Sequence, residues 1–349
     1  MSTSDLIINL TTDISAMIAL GLEGTAHTLG VGIVDEKGNV LANARDVYKP
    51  TAGGIHPTEA GKHHRDVAPG VLEKALAEAK VEWKDIDFIA YSAGPGLAPC
   101  LLATLEFAQK LGQENGKQLI PVNHCISHIE IGRLKTDAKD PITLYVSGGN
   151  TQILGYAAGR YRVFGETLDI AIGNAIDTFI REAGGGFPGG PVMERLANDA
   201  RTAKGENAYI ELPYVVKGMD LSFSGIVTSA LKKLKTNSLE DICFSFQETC
   251  YAMLAEVTER AMAHTGKNEC LLTGGVAASK RLQEMLRTMC EERGARFFVC
   301  PSEFAGDCGA NIAWAGILAA KSGQKALKPE EADFNPRWRT DETEITWLK

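Results

Sequence analysis

One pattern occurs twice in this chain. Residues 18–45 read as an apolar run, a Gly24-Thr25 turn, a second apolar run, a Gly38-Asn39 turn and a third strand. Residues 142–167 repeat that order, with turns at Gly148-Gly149-Asn150-Thr151 and at Gly159-Arg160. Short apolar runs broken by glycine turns predict antiparallel meanders. Two meanders opening successive stretches of a 349-residue chain predict a duplicated α/β fold, and that length accommodates about two domains.

After each meander the apolar period lengthens. Val71, Leu72, Ala75, Leu76 and Ala79 fall on one helical face, and IDFIAYSAGPG then reads as a buried strand entering a glycine loop. In the second half, helices predicted at 240–265 and 279–293 bracket ECLLTGGVAAS, a strand that breaks on Gly274-Gly275. A last helix near 309–322 follows Gly306-Asp307-Cys308-Gly309 and is expected to return to the first domain. The expected division is an extension over 1–17, a first domain over 18–140 completed by the helix near 309–325, a second over 141–308, and a tail over 326–349. The tail is polar and proline-containing, so it is expected to lie over the surface.

Composition restricts the function. With 44% apolar and 23% charged residues the chain is neither disordered nor fibrous. Lys and Arg number 36 against 44 Asp and Glu, a net charge of −8, the wrong sign for holding nucleic acid by bulk electrostatics alone. An RNA or DNA ligand therefore requires a local basic patch or a basic partner. No Lys or Arg precedes Lys37, so the start lacks the basic region of a secretory signal, and the apolar stretch over 98–105 is too short for a membrane span. The eight cysteines form no CxxC pair and read as reduced core thiols of a cytoplasmic protein.

Three glycine turns follow apolar runs directly: Gly24-Thr25, Ser147-Gly148-Gly149 and Thr273-Gly274-Gly275. Singly, each reads as a tight hairpin. Placed equivalently in two halves, with a third at a strand-to-helix junction, they read as a phosphate cradle of backbone N–H groups in an interdomain cleft. No Gly-Lys-Ser/Thr follows these strands, which excludes a P-loop.

In NHCISHIE, His124 and His128 are four residues apart, a spacing that puts both imidazoles on one helical face. Ordinary core histidines and two metal ligands both satisfy it. Cys125 follows His124, so the glutamate base of a zinc peptidase is missing. Asp177 and Glu194 lie beside glycine-rich segments, where a carboxylate either complements a helix dipole or accepts from ribose hydroxyls. Asp307, between glycines at the mouth of the last helix, reads as a helix cap or a third metal ligand. His56, His63 and His64 with Lys62 and Arg65 read as a cationic loop, either solvated rim or RNA-facing.

The strings GLEGTAHT, GGIHPTEAGKHH, SAGPGLAPCL, NHCISHIE, YVSGGNTQI, GNAIDTF, GGFPGGPVMERLA, LSFSG, TGGVAAS and GDCGANIAWAG, taken in order over about residues 18–340, resemble one family closely. It is the tRNA threonylcarbamoyladenosine synthesis family (TsaD/Kae/Qri), in its archaeal and eukaryotic KEOPS-type branch. The resemblance implies an actin-like (ASKHA, ribonuclease H-like) two-domain fold with nucleotide in the cleft. It implies transfer of the threonylcarbamoyl group from threonylcarbamoyl-AMP to N6 of the adenosine next to the anticodon, in tRNAs reading ANN codons. By residue match, His124, His128 and Asp307, with Tyr145 close by, fall on the ligands of an iron or zinc ion. Tyr145, Val146, Ser147, Gly148, Gly149, Asp177, Gly190 and Glu194 fall on adenylate- or ATP-binding positions, joined by Gly274, Gly275 and Ser279 of the third turn. The implied partners are tRNA, a small kinase/ATPase subunit and a small dimerising subunit, with no membrane.

The match has departures. Ser279 stands where relatives carry Asn, and Cys308 and Asn311 replace a usual Asn and a usual apolar residue. The first 16 residues have no counterpart, which makes Met17 a candidate start. The residue match supplies no general base. Two other functions use the same scaffold: a small-molecule kinase working through a catalytic aspartate and Mg²⁺, and an ATP-switched chaperone or assembly module. Neither calls for a paired-histidine metal site.

Overall fold

A computed structural model describes residues 17–50 and 54–348. All of the expected extension over 1–17 except Met17 therefore lies outside the described residues. Strands β1 (Ile18–Glu23), β2 (Thr28–Asp35) and β3 (Val40–Val47) pair antiparallel as the first meander. The β2–β3 turn needs its glycine, because Gly38 sits at φ +84° while the Asp35 carboxylate accepts from the N–H groups of Lys37 and Asn39, each at 2.9 Å. Helix α1 (Pro57–Ala79) leads to β4 (Phe88–Gly94), α2 (Ala98–Asn115) to β5 (Gln118–Asn123), and α3 (His124–Lys135) closes the half. β4 lies parallel to β1 and β5 parallel to β4, giving the order β3-β2-β1-β4-β5.

The second half repeats this topology. β6 (Ile142–Val146), β7 (Thr151–Ala157) and β8 (Arg160–Glu166) form the meander. Helices α4 (Ile172–Glu182) and α5 (Gly189–Lys204), the ribbon β9 (Val216–Lys217) and β10 (Asp220–Leu221), and helices α6 (Ser224–Lys233) and α7 (Leu239–Thr265) follow. Then come β11 (Glu269–Thr273), α8 (Lys280–Glu292), β12 (Arg296–Val299), α9 (Ser302–Ala305) and α10 (Gly309–Lys321). The second sheet runs β8-β7-β6-β11-β12, with β11 parallel to both neighbours, so it matches the first strand for strand.

The last helix packs back on the first sheet, and small residues permit it. A Cβ on Gly32 would fall on the backbone of Gly309 and Ala310, and one on Gly21 on that of Gly309 and Ala313. Ile312 and Ile317 of α10 are fully buried there. Each such side chain contributes roughly 1.5–3 kcal/mol of burial. The second half packs around α7, whose Phe246 stacks on Phe179 of α4 at 5.2 Å between centroids.

Two expectations change. Residues 57–79 form a helix, so Lys62, His63, His64 and Arg65 are helical rather than in a loop, with His56 at the cap position. His64 is buried, 1% exposed. Pro57 in the first turn favours this start, since the missing N–H would have no helical partner there. The tail does cross the surface, but it is pinned. Leu327 bridges to Leu119 at the start of β5, Glu344 bridges to Arg160 at the start of β8, and Ile345 is 2% exposed. All eight cysteines are free and buried. Among the described residues no helix is long and apolar enough to cross a membrane.

Candidate metal centre and nucleotide cleft

α3 begins where β5 ends, and Asn123 makes the junction. Its side chain accepts from the N–H groups of Cys125 at 3.1 Å and Ile126 at 3.3 Å, a standard N-cap. His124 thus opens the helix and His128 stands one turn on, their ring centroids 4.6 Å apart. Asp307, just before α10, completes the cluster. Its Oδ1 lies 3.3 Å from His128 Nε2 and 3.6 Å from His124 Nε2. The ligand-bearing atoms of the three residues all fall within 4.8 Å of one another. Two donors each about 2.1 Å from one ion at tetrahedral angles lie roughly 3.4 Å apart, so the spacing fits an ion of zinc or iron size. Two imidazoles and one carboxylate are also the donor chemistry such ions take.

Tyr145, at the end of β6, faces the same point. Its hydroxyl is 3.2 Å from His124 Nε2 and its ring stacks on His128 at 4.9 Å. Burial drives its phenol well above the usual range. Burial also favours neutral Asp307, but the His128 hydrogen bond and the two histidine charges overcome it and hold the carboxyl well below the usual range. Burial lowers His128. It would lower His124 too, yet the Glu23 carboxylate against that ring prevails and raises it to about 9.

Glu23 is a site residue that sequence reasoning missed. It ends β1, is 1% exposed, and places Oε2 3.0 Å from His124 Nδ1. The only available signal was a lone acid at the end of an apolar strand. Asp307 does not cap α10, whose cap position is Cys308, so the ligand alternative is the one its geometry suits.

The glycine turns divide. Ser147, Gly148 and Gly149 follow β6, and a Cβ on either glycine would meet no atom within 4 Å. Val146 itself points into the core, contributing backbone only. α4 presses on this turn: Gly173 N–H donates to Ser147 O at 3.2 Å. Gly274, at φ +95°, packs so closely on the carbonyl of Val146 that a Cβ would fall on it, while Gly275 is open. The second and third turns therefore adjoin. The Gly24-Thr25 turn differs from expectation, because its donors are already used. Gly24 N–H donates to Ser92 Oγ at 3.0 Å and Thr25 N–H to Glu23 Oε1 at 2.7 Å.

Each acid holds backbone at the start of a helix. Asp177 Oδ1 accepts from Gly189 N–H at 2.7 Å, and burial raises its pKa. Glu194 Oε1 accepts from Lys280 N–H at 2.8 Å, at the first turn of α8, with Ser279 at the cap position. Gly190 faces open space. Glu194 lies in the second turn of α5, too far along to complement that helix's own N-terminus.

The family model for tRNA N6-adenosine threonylcarbamoyltransferase (TsaD) matches residues 38–314. A tRNA N6-adenosine threonylcarbamoyltransferase of Thermococcus sibiricus is 57% identical, covering 95% of this chain and 100% of its own. A probable bifunctional tRNA threonylcarbamoyladenosine biosynthesis protein of Methanosarcina mazei is 54% identical over 95% of this chain, which spans 59% of that relative's length. The crystal structure of HypF from T. kodakarensis superposes with a TM-score of 0.60 at 16% identity, covering 88% of this chain and 48% of that one. The likeness to HypF concerns the fold alone.

Proposed function

The chain belongs to the tRNA N6-adenosine threonylcarbamoyltransferase family, and from that premise we propose that it moves the threonylcarbamoyl group of threonylcarbamoyl-AMP to N6 of the adenosine beside the anticodon in tRNAs reading ANN codons. One observation carries the reading: the end of β6 joins a two-histidine, one-carboxylate cluster to an open glycine turn, so an ion site and a phosphate site adjoin.

His124, His128 and Asp307 hold the ion, with Tyr145 beside them. Iron or zinc, when bound there, supplies a Lewis acid for a carbonyl or carboxylate oxygen. The N–H groups of Gly148 and Gly149 take the phosphate charge, and Gly274 and Gly275 wall the same space. Asp177 and Glu194 each spend one oxygen on backbone and offer the other to ribose hydroxyls. Gly190 and Ser279 lie at the same helix starts. In the transfer, the adenine N6 forms a bond to the carbamoyl carbon, the bond from that carbon to the phosphate oxygen breaks, and AMP leaves. The amine proton passes to solvent. An exocyclic amine is a weak nucleophile, so holding the two reactants in register outweighs a strong base.

The lobes over 18–140 with the helix near 309–325 and over 141–308 enclose the nucleotide. A net charge of −8 leaves much of the grip on tRNA to a local patch and to partners, a small kinase/ATPase subunit and a small dimerising subunit in a KEOPS-type complex. The eight buried thiols suit a cytoplasmic protein. A small-molecule kinase or an ATP-switched chaperone has no use for the buried imidazole pair.

The test incubates the protein with threonylcarbamoyl-AMP and such a tRNA, with and without the two partners, and measures the modified nucleoside by mass spectrometry. Product supports the reading. Absence of product under both conditions, or phosphorylation of a small acceptor without tRNA, contradicts it.

A further inference from the structure

The carboxylate of Glu23 is buried and held at both of its oxygens. Oε1 accepts twice from Thr25, from its N–H at 2.7 Å and its hydroxyl at 2.6 Å. Oε2 is left for His124 Nδ1 at 3.0 Å. An ionised carboxylate only accepts, so the ring must present an N–H to it from Nδ1, which makes Nε2, the atom facing Asp307, the one that gives up its proton to an ion. His128 has no such support: its Nδ1 is buried with no hydrogen-bond partner among the described residues. The two ligating histidines are therefore held unequally.

We infer that Glu23 is a positioning residue for the metal centre, fixing the tautomer and ring orientation of His124, and that Thr25 in turn fixes Glu23. This inference rests on the metal reading of His124, His128 and Asp307. The β1–β2 turn consequently has a different duty from its counterpart after β6. The Ser147–Gly149 turn keeps open backbone for a ligand, whereas the Gly24-Thr25 turn spends its N–H groups on Ser92 and on Glu23. The duplicated turns have divided the work, one facing the phosphate and the other buttressing the ion. Ser92 belongs to β4 and His124 follows β5, so three neighbouring strand ends of the first sheet converge on the support.

The experiment measures Co²⁺ affinity of the full chain by chelator competition, together with the visible Co²⁺ absorption band and the thermal midpoint of the metal-free protein. Partners that orient a ligating histidine are worth about 10–100-fold in metal affinity. Glu23→Gln is expected to weaken Co²⁺ binding by about that factor and shift the band, and Thr25→Val to weaken it measurably but less, because the backbone donor of Thr25 survives. If Glu23→Gln does not fold, Thr25→Val decides. Variants that bind Co²⁺ as tightly as the parent, with the same band, overturn the inference whatever their thermal midpoints. A parent protein that takes up no Co²⁺ overturns the metal reading itself, a separate failure.

Discussion

His128 Nε2 and Asp307 Oδ1 stand 3.3 Å apart although 179 positions separate them in the chain. The contact joins the helix that closes the first half to the segment that returns the chain to it. Two of the three proposed ion ligands come from one helical turn and the third from the far end of the second half. Removing both imidazoles should thus leave the fold and destroy the centre. His124→Ala/His128→Ala is expected to lose metal affinity by more than about 100-fold, since even outer partners of ligands are worth 10–100-fold. Metal analysis of the purified variant beside its circular dichroism spectrum checks this.

The glycines of adjoining turns should respond in opposite ways. Gly149→Ala adds a methyl to open space, so stability should stay within about 0.5 kcal/mol while KM for the adenylate rises. Gly274→Ala forces a left-handed residue onto the Val146 carbonyl and should cost at least about 1–3 kcal/mol. Denaturant midpoints of the two variants separate the effects.

His64 should set a pH limit. Burial, then the neighbouring His63, lowers it from 6.5 to about 4. Between those values the unfolded chain binds the extra proton, so stability is full above pH 6.5 and falls as pH drops towards 4. The loss approaches about 3 kcal/mol at 1.36 kcal/mol per unit. His64→Phe should flatten the unfolding free energy over that range. A curve with the parent's slope would contradict the assignment.

The tail should contribute stability without touching the chemistry. Glu130 is 2% exposed and accepts from Tyr161 Oη at 2.6 Å and Trp347 Nε1 at 3.0 Å. Trp347→Phe removes one donor to a buried carboxylate, which costs about 1–3 kcal/mol. Metal affinity should not change. Urea unfolding and Co²⁺ titration of the same sample test both halves of this expectation.

The duplicated sheets were legible because turn and strand periods are local, and the identical strand orders confirm what the repeated runs at 18–45 and 142–167 predict. His124 and His128 were legible because four-residue spacing is a helical neighbourhood. Asp307 was legible locally only as a cap or a ligand, since nothing in its neighbourhood marks a partner so distant in the chain. Glu23 was invisible for a related reason: an acid ending an apolar strand is unremarkable until a histidine from beyond β5 is brought against it. The stretch around His63 was misread as a loop because two histidines and Gly61 dilute the helical pattern that Pro57 begins. The tail was read as superficial from its polarity, yet Ile345 and Trp347 are sparse anchors that a composition average conceals.

Formation of the modified nucleoside by the metal-loaded parent and by His124→Ala/His128→Ala, given threonylcarbamoyl-AMP, the two partner subunits and a tRNA reading ANN codons, tests the central claim most directly. The parent should yield threonylcarbamoyladenosine on the tRNA and the double variant none, at unchanged fold. Modification by the double variant at the parent's rate would contradict a metal centre built from these residues.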